Sequence, residues 1–117
     1  MKISVIAVAS LIVLLSLAGT VSAGARCLRL EGAGTYFYEV TMEGVARREI
    51  RGLCNGLWDN LKGHLACMVY RPNGCEEGYF NGDLYWYFST SIVCNQDMVH
   101  SAYYGATKNQ WGAITCH

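Results

Sequence analysis

Leu84-Tyr85-Trp86-Tyr87-Phe88-Ser89-Thr90 is the stretch on which the reading of the fold turns. Four consecutive aromatic residues followed by a β-branched end are a strong strand signal. Strand side chains alternate, so Leu84, Trp86 and Phe88 share one face and Tyr85, Tyr87 and Ser89 the other. The first set is the more apolar and is assigned to the core. The second, with a hydroxyl on every residue, is assigned to water. Such a strand belongs in a sheet covered on one side only.

Upstream, Thr35-Tyr36-Phe37-Tyr38-Glu39-Val40-Thr41 reads as another strand after the Gly32-Ala33-Gly34 turn. It carries Tyr36, Tyr38 and Val40 on one side and Phe37, Glu39 and Thr41 on the other. From Val45 the period changes: Ile50, Leu53, Cys54, Leu57, Trp58 and Leu61 form one stripe of an amphipathic helix that Gly63 ends. Gly52 and Gly56 weaken that helix by about 1 kcal/mol each against Ala, and suggest close packing on a sheet. His64 to Tyr70 reads as a strand, and Arg71-Pro72-Asn73-Gly74 as a turn. A loop follows through Glu76, Glu77, Gly78 and Asn81-Gly82-Asp83. Downstream of the aromatic strand, Asn95 caps a second helix. Its stripe is Met98 or Val99, Ala102, Tyr103 and Ala106, and Asn109 ends it. Trp111 to Cys116 reads as a closing strand. The predicted order is a βαββαβ, ferredoxin-like two-layer sandwich, an α+β fold with both helices on one face. The alternative is a small β-rich, ribonuclease-like domain in which the second helix is strand and turn.

The chain has 117 residues, 52% of them hydrophobic, and allows one domain. Nine basic residues balance nine acidic ones, which disfavours a nucleic-acid binder. Lys2, the apolar run Ile3 to Ala18, and small residues at Val21 and Ala23 have the layout of a secretory signal peptide over residues 1–23. A membrane anchor would need about 20 apolar residues, and here small residues end the run early. Cleavage after Ala25 is a second possible site. Removal of the signal leaves a secreted, extracellular domain over 24–117. Eight basic residues then face nine acidic ones.

All six Cys, namely Cys27, Cys54, Cys67, Cys75, Cys94 and Cys116, lie in that domain. So small a core in an oxidising compartment is typically stapled by disulfides, and an even count predicts three bridges. Spacing alone leaves the pairing open. The expected topology places Cys27, Cys67, Cys94 and Cys116 at one end of the sheet. A Cys27–Cys116 bridge between the chain ends is the best single expectation.

No metal site is predicted. There is no Cys-x-x-Cys, and His64, His100 and His117 lack ligand spacing. No cofactor motif, nucleophile elbow or phosphate loop occurs, and no Asn-x-Ser/Thr sequon. Acid–base candidates are Glu39, Glu76, Glu77 and Asp83 with His100 or His64, and Arg71 as an anion holder. The tail Gly105-Ala106-Thr107-Lys108-Asn109 to Cys116 resembles that of fungal guanyl-specific ribonucleases, but Tyr104 stands where those enzymes have a His. No catalytic residue is assigned. The aromatics carry the functional reading: Tyr36, Tyr38, Tyr85 and Tyr87 are expected on an uncovered sheet face. Such a patch suits a protein, glycan or membrane-surface partner, or a weak homodimer.

Together with Leu53-Cys54, Leu65-Ala66-Cys67, Ser101-Ala102 and Trp111-Gly112-Ala113-Ile114-Thr115-Cys116, these features resemble the small cysteine-rich secreted proteins of fungi. The chain looks most like the killer-toxin-like α/β-sandwich group. The resemblance implies an extracellular toxin or virulence effector that acts by binding a host or competitor-cell target, without catalysis. A secreted ribonuclease-like domain and a structural surface protein are the alternatives.

Overall fold

The computed structural model describes residues 24–79 and 82–117. The signal peptide expected over 1–23, and Asn81 of the expected turn, lie outside the described residues. The elements are β1 (Ala25–Glu31), β2 (Thr35–Glu43), α1 (Arg47–Lys62), β3 (Tyr70–Glu77), β4 (Asp83–Ser91) and α2 (Gln96–Thr107). They make a small α+β fold around one four-stranded antiparallel sheet in the order β1-β2-β4-β3.

The aromatic strand behaves as its alternation demands. Leu84, Trp86, Phe88 and Thr90 of β4 are buried, and the odd-numbered residues between them are half-buried. Register then extends this two-sidedness across the sheet, because directly paired residues share a face. Val40 pairs with Trp86 and Tyr38 with Phe88, so the even-numbered side of β2 joins the core. The helices cover that face. Ile50, Cys54, Leu57 and Leu61 of α1, with Val99, Ala102 and Tyr103 of α2, complete a single apolar cluster. Trp58 meets Trp86 edge to face at 5.8 Å, and Tyr38 stacks on Phe88 at 5.3 Å.

The α1 stripe forms as its period predicts. Asn95 also caps α2, its side chain accepting from the Met98 amide at 3.1 Å. Gly56 packs on the second helix and not on the sheet. A Cβ there would lie 3.4 Å from that of Ala106, and one at Gly105 would collide with the Asn60 side chain. Small residues thus let the helices touch.

The ferredoxin-like order is not matched. Its central part is present, since β2 and β3 are joined through α1 with β4 between them. The place beside β2 is taken by β1, which the sequence reading missed. The C-terminus is displaced one position outward, where the expected strand 111–116 shrinks to a single parallel bridge between Cys116 and Cys27. The expected strand at His64–Tyr70 is also a correction: residues 63–69 form turns and irregular chain, and pairing starts at Tyr70. The reading Arg71-Pro72-Asn73-Gly74 as a turn is corrected likewise. These residues lie in an edge strand, where Pro and Gly are tolerated, and the register shifts between Tyr70 and Asn73. The all-β alternative fails because 96–107 is helical.

Three disulfides join Cys27–Cys116, Cys54–Cys75 and Cys67–Cys94. They do not gather Cys27, Cys67, Cys94 and Cys116 at one end. Cys27 lies on the row of Val40 and Trp86, whereas Cys94 follows the far end of β4. The presence of β1 moves Cys27 away from the end where β2 begins. Among the described residues no helix is long and apolar enough to cross a membrane.

Candidate functional site

The uncovered face of the sheet is the surface on which the sequence placed a binding function, and the register maps it in three rows. Arg26, Thr41, Tyr85 and Glu76 form the first. Leu28, Glu39, Tyr87 and Gly74 form the second. Leu30, Phe37 and Ser89, with Tyr70 at the start of β3, form the third.

Tyr85 and Tyr87 hold the centre, stacked on each other with ring centroids 4.8 Å apart. Phe37 lies 6.4 Å from Tyr87. The Tyr85 hydroxyl donates to the Glu39 carboxylate of the neighbouring strand. Burial first, and this contact with Glu39 second, push the Tyr85 phenol well above its ordinary range. It therefore stays a neutral donor and holds the carboxylate in place. Two shallow depressions flank Tyr85. One, about 430 Å³, is lined by Glu76, Gly78, Tyr79 and Tyr87. The other, about 380 Å³, is lined by Arg26, Leu28, Glu39 and Thr41.

Tyr36 and Tyr38 are not on this face, and their assignment to it is corrected. Their partners on β4 are Thr90 and Phe88, both on the core side. Tyr38 is fully buried, and its hydroxyl donates to the Cys94 carbonyl at 2.7 Å. One well-placed acceptor is enough for a Tyr to serve as a core residue. Burial also pushes its phenol pKa up. Tyr36 is half-buried, edge-on to Tyr38, with the Arg29 guanidinium over its ring at 4.4 Å.

The structure supplies in their place two residues that sequence reasoning missed. Leu28 and Leu30 of β1 point outward and are half-exposed, while Cys27 and Arg29 point toward the core side. This strand is inverted, with leucines outside and an arginine inside. The period-two spacing of Cys27, Arg29 and of Leu28, Leu30 was the available signal.

The acid–base candidates are dispersed. Glu39 opens onto the uncovered face and is engaged by Tyr85. Glu77 accepts from Arg47 at 3.0 Å. Glu76 sits on the edge strand and Asp83 begins β4. Arg71 is exposed near the start of β3, and His64 lies in the chain after α1. His100 is on α2, across the sheet from Glu39, and its Nε2 accepts from the Cys116 amide at 3.0 Å. Among the described residues no three His, Cys, Asp or Glu are grouped to hold a metal ion. Comparison with protein-family models, with curated proteins and with solved structures finds no match for this chain.

Proposed function

We propose that this chain is a secreted, disulfide-stapled effector or killer-toxin-like protein that acts by binding a protein on a host or competitor cell. The observation that carries the reading is the uncovered sheet face. Leu28 and Leu30 are apolar side chains turned to solvent on this face, and Phe37 lies half-buried on the same row as Leu30. Beside them stand the Tyr85–Tyr87 stack and the Glu39 and Glu76 carboxylates. Rigid aromatic anchors with a polar rim are what protein interfaces use. The carboxylates suit a partner with basic side chains. The engaged state of Glu39 and the remote position of His100 favour binding over hydrolysis of RNA.

The test applies labelled, oxidised protein to host or competitor cells. Tyr85→Ala with Tyr87→Ala, and separately Leu28→Ser with Leu30→Ser, should leave the circular-dichroism spectrum native. Each should weaken cell binding by roughly thirtyfold or more, as expected for interface anchors. Retained binding by both variants would reject this face as the site. Cleavage of RNA that is lost in His100→Ala would replace the proposal with the ribonuclease-like alternative.

A further inference from the structure

At the end of the sheet where β4 runs into α2, two segments come together. One is the chain of residues 63–69 between α1 and β3, and the other is 92–95 between β4 and α2. The Cys67–Cys94 disulfide joins them with a Cα separation of 4.6 Å. Beside its half-cystines, these segments turn large apolar side chains into solvent. Leu65 is 92% exposed, Met68 65%, Val93 61% and Ile92 53%. Between α1 and the first segment lies a cleft of about 340 Å³, lined by Trp58, Leu61, Val69 and the stem of Lys62. Tyr70 stands half-exposed at the adjoining start of β3.

The two ends of the sheet differ in how their charges are arranged. Glu43, Glu77 and Asp83 lie at the opposite end, where β2 and β3 finish and β4 begins, with Glu43 paired to Arg26 and Glu77 to Arg47, each at 3.0 Å. The apolar end carries Lys62, His64 and Arg71, and no acidic residue occurs in the sequence between Asp59 and Glu76. The acids around it are Asp59, one helical turn before Lys62 on α1, Glu31, which is paired with Arg29 at 3.5 Å, and Asp97, in the first turn of α2.

We infer that this end docks on an anionic lipid surface. Side chains as exposed as Leu65 protrude, and a protruding apolar tip needs no complementary pocket when its partner is a bilayer. Lys62 and Arg71 flank the tip with long side chains that reach headgroup phosphates, and a Tyr at the margin suits the interfacial region. The disulfide keeps both segments in one rigid tip, so insertion orders little chain. This surface adjoins the uncovered sheet face at Tyr70, and neither inference depends on the other.

The experiment is co-sedimentation of oxidised protein with vesicles of phosphatidylcholine containing about one-third phosphatidylserine, against phosphatidylcholine alone. The protein should partition onto the anionic vesicles with a blue shift of its tryptophan emission. Leu65→Ser with Met68→Ser should lower partitioning by roughly tenfold or more, and Lys62→Gln with Arg71→Gln by about fivefold or more. Ile92→Ser with Val93→Ser is the second apolar variant, so that one misfolded pair leaves the question decidable. Absence of binding by the native protein, or undiminished binding by folded apolar variants, would overturn the inference. So would a native dimer in sedimentation that Leu65→Ser with Met68→Ser converts to monomer, because the tip would then be covered by a second copy.

Discussion

Cys27 and Cys75 stand at the two ends of one row across the sheet, with Val40 and Trp86 between them. Each is covalently tied outward, Cys27 to Cys116 and Cys75 to Cys54 of α1. The row that supports the largest buried side chain is thus clamped at both edges. The bridges close loops of different size, with sequence separations of 89 and 21 residues. On the loop-entropy model they contribute about 4–5 and about 3 kcal/mol. Cys27→Ala with Cys116→Ala should therefore lower unfolding free energy in urea by more than Cys54→Ala with Cys75→Ala. The reverse order would mean that holding α1 to the sheet edge outweighs closing the chain.

The ring of Tyr87 lies over Gly74 of the neighbouring strand: a Cβ built at Gly74 would fall 2.5 Å from the Tyr87 hydroxyl oxygen. Gly74→Ala should lift Tyr87 off this seat and disturb its stack on Tyr85, with a stability loss of about 1–2 kcal/mol. In a Tyr87→Ala background the same substitution should cost almost nothing. The double-mutant cycle reads the contact directly, and additive costs would show that Gly74 is required for its backbone alone.

Leu57 is fully buried in the middle of the α1 stripe. Leu57→Asp removes its apolar burial and brings in a carboxylate without a partner, a cost of several kcal/mol. That approaches the whole stability of a domain this size. Circular dichroism should show the protein already unfolded at 37 °C, below the usual melting range of such domains of about 45–65 °C.

The phenols of Tyr38, Tyr85 and Tyr103 are all pushed above the ordinary tyrosine value of 10.0, chiefly by burial. The folded protein therefore keeps these protons after the unfolded chain begins to lose its own. Below about pH 10 both states are protonated and stability is complete. Above it the unfolded state binds fewer protons, so unfolding free energy falls as pH rises. Urea midpoints should decline above about pH 10, and three tyrosinate absorbance changes should come late or only with unfolding. A midpoint that does not move on the alkaline side would contradict the burial of these hydroxyls.

The sequence was most legible where local preference and tertiary demand agree. The aromatic alternation of β4 and the stripe of α1 each state which side is buried, and the structure follows both. Legibility failed where a tie from elsewhere set the conformation. Residues 64–70 are as apolar as a strand, yet Cys67 is held to Cys94 and Leu65 and Met68 face solvent. Residues 71–74 read as a turn and Glu76 and Glu77 as loop, yet pairing with β4 and the Cys75 bridge make them a strand. The inverted β1 was invisible to a hydrophobic count because Arg29 points to the core side, over Tyr36. On the uncovered face, the positions of Tyr85 and Tyr87 followed from alternation. Tyr36 and Tyr38 did not, because only the register with β4 decides which side of β2 is covered.

The two borders of the sheet bear on how the protein behaves in a crowd of its own copies. An open border with regularly spaced free amides is a template onto which a second chain can add, and then a third. Along β3 that regularity is broken by Pro72, which has no amide hydrogen, by the shift of register, and by the charges of Glu76 and Glu77. Along β1 it is interrupted by the chain's own end, where the Arg29 amide donates to the His117 carbonyl at 2.8 Å and Cys116 is covalently fixed. Growth into fibres is thereby obstructed from both sides. Reduction of the Cys27–Cys116 bond frees one of them, so the reduced protein should be the form that aggregates.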